Sequence, residues 1–147
     1  MQKIKAADLA QFIKSDGENC KTHHFGGVKR GYRDDLGFSV ASSWEANYAR
    51  YLNFLKGKGQ IKDFAYEPQT FEFKERHGTT RYTPDFIVEN LDGSVEYHEV
   101  KGYLDKKSKT KINRFRRDYP ELKLIVIEKE NYKQIAKWSH LIPNWEE

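Results

Sequence analysis

Tyr82-Thr83-Pro84-Asp85-Phe86 and, after a turn, His98-Glu99-Val100-Lys101-Gly102 decide how the rest of the chain is read. Both stretches read as β-strands. Side chains alternate faces along a strand, so residues two apart share one. Val95, Tyr97, Glu99 and Lys101 therefore share one face of a strand over 95–101, and Glu96, His98 and Val100 the other. Asn90-Leu91-Asp92-Gly93 has the composition of a hairpin turn. It makes residues 81–89 and 95–101 neighbours. Asp85, near the start of one strand, then sits opposite Glu99 or Lys101 near the end of the other. Proline cannot donate to a ladder, so Pro84 predicts an irregular or edge position.

Outward from this hairpin, residues 106–118 read as a helix with Ile112 and Phe115 inward. Leu122 to Ile127 form a nearly continuous apolar run, the pattern of a strand buried on both faces in parallel pairing. Strand, helix, strand is then a right-handed crossover. Upstream, residues 43–56 are the clearest helix. Ser42 or Ser43 can cap it, Gly57 ends it, and Trp44, Tyr48, Tyr51, Leu52 and Leu55 form its apolar stripe. Residues 60–66 and 70–74 read as strands around Pro68, and 131–139 as a last helix. Residues 3–14 suggest a helix stopped by Gly17. Residues 15–41 have no clean period, and their glycines read as loop. The expected fold class is α/β (α+β) with a mixed sheet. A single compact domain is expected overall, with an N-terminal helix and basic arm over 1–41 ahead of a main unit over 42–147.

The chain has 147 residues, 33% charged and 14% aromatic, with a net charge of +4. The aromatic content argues against disorder. No apolar run approaches the roughly 20 residues of a membrane helix, and the first residues lack the apolar block of a secretory signal. One cysteine permits no internal disulfide. An intracellular, cytoplasmic protein is expected. Cys20, His23 and His24 raise a zinc reading, which is set aside. A closed zinc site needs four ligands, and His77, His98 and His140 lack suitable spacing.

The chemistry lies in the carboxylates. Asp85 and Glu99 brought together in a partly buried place repel each other, and a divalent cation removes the conflict. Mg²⁺ suits two carboxylates, retained waters and a substrate phosphate. Lys101 can hold a water or stabilise phosphate charge. Glu45 can complete the cluster, although alone it reads as an acid at a helix N-terminus. The Val100 carbonyl is a further candidate ligand. From Lys101 to Arg117 there are eight basic residues and one acid. Lys106, Lys107, Lys109, Lys111 and Arg114, with Lys29, Arg30 and Arg33 in the arm and Arg50 on the first helix, are the candidate phosphate contacts. Trp44 and Trp138 read as core.

Pro84-Asp85 followed by Glu99-Val100-Lys101 resembles the P-D…(D/E)-x-K motif of the restriction-endonuclease-like nuclease superfamily, whose core order is αβββαβ. Residues 82–86, 100–102 and 118–122 are similar to those of the phage endonuclease I type of Holliday-junction resolvase. Arg33-Asp34-Asp35-Leu36-Gly37 and Ser43-Trp44-Glu45-Ala46-Asn47-Tyr48 resemble small phage-type nucleases. The resemblance spans roughly residues 42–127. It implies a phage-type DNA endonuclease with Asp85 and Glu99 as metal ligands, Glu45 as third acid and Lys101 as catalytic lysine. Mg²⁺ is the implied cofactor, with Mn²⁺ able to substitute and no organic cofactor. Duplex or branched DNA is the implied partner, and resolvases of this type act as intertwined homodimers. A homing, nicking or restriction-type enzyme is the alternative specificity. A non-catalytic nucleic-acid-binding module and an RNA-directed nuclease are the alternative functions.

Overall fold

The computed structural model describes residues 29–147. The expected helix over 3–14 and the residues Cys20, His23 and His24 lie outside them. The elements are β1 (Gly31–Arg33), β2 (Phe38–Val40), α1 (Ser43–Gly57), β3 (Asp63–Tyr66), β4 (Phe71–Glu72), β5 (Arg81–Tyr82), β6 (Phe86–Glu89), β7 (Val95–Val100), α2 (Lys106–Asp118), β8 (Lys123–Ile127) and α3 (Lys129–Ala136). A short 3₁₀ turn, Ser139–Leu141, follows.

The main sheet has the order β3-β6-β7-β8. Its first two pairings are antiparallel and β7–β8 is parallel. The sheet is thus mixed, and the protein is a mixed α/β fold. The turn before β7 forms as read: Asn90 and Ser94 are joined by a 2.8 Å backbone bond. Gly93 takes a φ of 82° there, a value glycine tolerates without a Cβ penalty.

Strand periodicity sorts the core into two layers. Phe64, Tyr66, Phe86, Val88, Val100 and Ile127 face one way, against Tyr48 and Leu52 of α1 and Tyr132 of α3. Ala65, Ile87, Tyr97 and Leu124 face the other, against Ile112 and Phe115 of α2 and Phe71, Phe73 and Tyr82 of the β4–β5 ribbon. Phe86 and Phe115 are fully buried. Burying a side chain of this size stabilises the fold by about 1.5–3 kcal/mol.

Local chemistry fixes the helix ends. The Ser42 hydroxyl accepts the Glu45 amide at 3.2 Å and caps α1. Gly57 lies inside the helix, and Gly59 (φ 70°) takes the left-handed position beyond it. Asp105 caps α2, accepting the Ser108 amide at 2.7 Å.

Several expectations change. Residues 31–40, read as loop, form the β1–β2 hairpin. Val40 enters the core, and Phe38 stacks on Tyr66 at 5.0 Å between ring centroids. This part of the expected arm thus belongs to the folded unit. The span 81–89 is two strands, because Pro84 interrupts pairing and the chain passes from the β4–β5 ribbon into the main sheet. The run 122–127 does pair in parallel, but among the described residues β8 is a sheet edge whose central Ile125 and Val126 stay half-buried. The last helix stops at Ala136. Trp138 is 55% exposed and is not core.

Candidate functional site

Asp85 lies in the break between β5 and β6. The register pairs Phe86 with His98, which sets Asp85 across from Glu99. There the side chains carry on the pairing that Pro84 interrupts. The Asp85 amide donates to Glu99 Oε2 at 3.3 Å. Asp85 Oδ2 accepts the Val100 amide at 2.8 Å. The two carboxylates are therefore fixed by the hairpin itself.

Two buried tyrosines hold the acids. Tyr82 donates its hydroxyl to Glu99 Oε2 at 2.6 Å. Tyr66, at the end of β3, donates to Glu45 Oε2 at 2.6 Å. Glu45 also accepts the Ala41 amide at 3.2 Å. It reaches the end of the sheet from the α1 side, whereas Glu99 faces the α2 layer through Tyr82. Burial and the neighbouring carboxylates push both tyrosine hydroxyls far above their ordinary range, so they remain protonated donors.

The electrostatics show the cost of the assembly. Burial raises the Asp85 carboxyl well above the usual carboxylate range, and the charges of Glu99, Glu45 and Glu67 add to it; the Val100 amide opposes them. Burial also raises Glu99, against the Tyr82 hydrogen bond and the nearby charge of Lys101. Lys101 follows β7 and donates its amide to the Ile127 carbonyl at 3.0 Å. Gly102 comes next for a steric reason: a Cβ there would lie 3.0 Å from the Trp44 ring. That ring is itself stacked on Tyr132 at 3.9 Å.

Glu45, Asp85, Glu99 and Lys101 are thus gathered at one end of the sheet. Among the described residues, no three His, Cys, Asp or Glu side chains stand close enough to form a ready metal cage. Mg²⁺ does not need one, since it binds through one or two carboxylates plus water and substrate phosphate. The hard, mutually repelling oxygens of Asp85 and Glu99 fit that requirement.

Three participants were missed in the sequence. Tyr66 and Tyr82 read as packing residues; only the position of Tyr82 three residues before Asp85 could have flagged it. Glu67 has a left-handed φ of 44° and donates its amide to the Asp85 carbonyl at 2.6 Å. A non-glycine residue in that region is uncommon and tends to mark functional sites.

The basic residues divide. Arg50, expected to contact phosphate, is 6% exposed and is fully engaged. It clamps Asp35 at 2.8 and 3.0 Å and meets Glu146 at 3.0 Å. Arg33 is likewise buried on Glu146 and on the carbonyls of Gly31 and Lys29. Buried cations already held by carboxylates and carbonyls are not available to a ligand, so both leave the set of phosphate contacts. Arg114 donates to the His77 and Thr79 carbonyls and braces a loop. Lys29 donates to the Glu147 backbone oxygen at 2.7 Å. Arg30, Lys106, Lys107 and Lys109 are exposed, and Lys111 is half-buried. His98 points away from Glu99 as expected, buried between Tyr48 (2.6 Å) and Glu96 (2.9 Å).

Fold and site define a mixed α/β protein with an acidic centre at the end of its sheet. The model of a family described as "Protein of unknown function (DUF1064)" matches residues 32–134. The chain belongs to this family, and the match takes in every residue of the acidic centre. No curated protein matches the chain. No helix among the described residues is long and apolar enough to cross a membrane.

Proposed function

We propose that the chain is a metal-dependent DNA endonuclease of the restriction-endonuclease-like superfamily. The observation that carries this reading is the Asp85–Glu99 pair, interlocked through the Asp85 and Val100 amides with Lys101 beside it. The order α1, β3, β6, β7, α2, β8 around one mixed sheet supports it, because it follows the αβββαβ sequence of that superfamily.

Asp85 and Glu99, with the Val100 carbonyl, would hold Mg²⁺ or Mn²⁺. When bound, such an ion polarises a phosphate and lowers the pKa of a water. The chain's own residues supply the rest. Tyr82 fixes the rotamer of Glu99, and Tyr66 fixes Glu45, so neither acid must reorganise on binding. The Lys101 ammonium orients a water or neutralises charge on the phosphate oxygens. Glu45 adds negative charge that strengthens the pull on a cation. A pure binding module gains nothing from carboxylates facing a phosphate, which disfavours that alternative.

The test is cleavage of labelled linear duplex, single strand, flap and four-way junction, with Mg²⁺ or chelator. Asp85→Ala and Lys101→Ala are expected to lower cleavage by about 10²–10³-fold, the range lost on removing one group that stabilises developing charge, with unfolding curves still cooperative. Junction-selective cutting would mark a resolvase-like enzyme, and cutting of every substrate a general one. Wild-type rates in both folded variants would refute the reading.

A further inference from the structure

The loop over 77–81 and the first half of α2 enclose a groove of about 570 Å³ lined by Gly78, Thr79, Thr80, Arg81, Lys107 and Lys111. Three of its six lining residues are cationic and none is acidic. Three of the loop's backbone acceptors are already used. The His77 and Thr79 carbonyls receive Arg114, and the Thr80 carbonyl receives the Phe73 amide at 2.8 Å. A lining with cations and donors in excess of acceptors favours an anion. Lys107 and Lys111 stand one helical turn apart, about 5–6 Å between their β-carbons, a spacing of the order of one step between phosphates on a strand.

The chain itself links the groove to the acidic centre. Asp105, which lies between Lys101 and Lys107 in sequence, feels the charges of both. Arg81 directly precedes Tyr82, which holds Glu99. We propose that this groove seats the phosphodiester backbone of one nucleic-acid strand on the side of the acidic centre facing α2, with Arg81, Lys107 and Lys111 on successive phosphates. Arg114 is a positioning residue that shapes the loop without touching the strand. The proposal rests on the nuclease reading for its choice of polyanion and gives that reading a strand path.

The experiment is fluorescence anisotropy of a labelled single strand and of the matching duplex, titrated over salt in chelator so that nothing is cut. The full-length chain is compared with Arg81→Ala/Lys107→Ala/Lys111→Ala. A second variant, Lys133→Ala/Lys137→Ala, removes two lysines in and just after α3. The groove variant is expected to bind at least tenfold more weakly. Its slope of log affinity against log salt should fall by about 2 for single strand, from three lost contacts at about 0.7 each. The α3 variant should match wild type. If the triple variant melts poorly, Lys107→Gln alone carries the test, with a slope change of about 0.7. Unchanged affinity and slope in the groove variant, an equal loss in the α3 variant, or tighter binding of polyglutamate or anionic vesicles than of DNA would overturn the proposal. The two readings fail separately. Cleaving wild type with unaltered binding in the groove variant sinks the groove alone. The expected binding losses without cleavage in any metal sink the nuclease alone.

Discussion

The protein holds two charge clusters, each built around buried ionisable side chains, that are solved in opposite ways. Around Arg50, every charge finds an opposite: Asp35 and Glu146 accept Arg50, and Glu146 also accepts Arg33. Around Asp85, acids meet acids, and their hydrogen bonds come from neutral donors, the Tyr66 and Tyr82 hydroxyls and backbone amides. The first arrangement closes on itself and ties β1, α1 and the C-terminal segment together. The second leaves net negative charge in a poorly solvated place, which folding alone gains nothing from. Acids held in place by neutral donors, with Lys101 offsetting only part of their charge, have the character that the proposed cation site requires.

The contrast can be broken most forcefully at Arg50. Arg50→Ala leaves Asp35 and Glu146 without their main partner. Removing one member of a buried pair costs about 3–5 kcal/mol. The partners keep 26% and 21% side-chain exposure, which argues for the lower end. A loss near 3 kcal/mol corresponds to a midpoint lowered by roughly 6–12 °C, measured by thermal unfolding. DNA affinity of the still-folded variant should not change; a loss there would return Arg50 to the phosphate contacts.

Tyr82→Phe is expected to act in the reverse manner, on function more than on stability. Loss of a partner that orients a ligating acid typically costs 10–100-fold in activity or metal affinity. Cleavage rates at saturating metal and the metal concentration for half-maximal rate would both be followed. Wild-type values for both would show that Glu99 does not depend on its hydroxyl partner.

A smaller effect separates the clusters by pH. Hydrogen bonding to Arg50 lowers Asp35, and in Glu146 the bonds from Arg33 and Arg50 outweigh the upward push of burial. Groups with depressed folded pKa values stabilise above their unfolded values and lose that contribution as pH falls. Asp85 and Glu99 are raised, so the native state binds protons more tightly than the unfolded chain. Their contribution is present below about pH 4, near the unfolded carboxyl values, and is lost as pH rises through the raised pKa values. Metal-free protein should therefore lose stability on both sides of a mildly acidic optimum. In Asp85→Asn the alkaline decline should flatten while the acid decline persists. Identical profiles for the two proteins, by urea unfolding across pH, would contradict the assignment.

These clusters also explain what could be read in the sequence. Asp85, Glu99 and Lys101 were legible because strand alternation and a Gly93 turn fix their relative positions within one hairpin. Glu45 was legible because the helix that carries it has a clear cap and stripe. Arg50 and Arg33 were misread because their partner Glu146 lies 96 and 113 residues away, where no local pattern reaches. The β1–β2 hairpin escaped because its strands are three residues each and flanked by glycines. Tyr66 and Tyr82 looked like core residues, and they are; only tertiary geometry shows that their hydroxyls point at acids. The edge position of β8 depends on what fails to pair with it, which no run of apolar residues encodes.

The most direct measurement is thermal unfolding at neutral pH during a Mn²⁺ titration, on wild type and Asp85→Asn. An acidic centre built for a cation predicts that the wild-type midpoint climbs with Mn²⁺ and saturates. Asp85→Asn should start higher without metal and respond weakly or not at all. Parallel responses in the two proteins, or no response in wild type, would contradict the claim that this carboxylate cluster is a metal site.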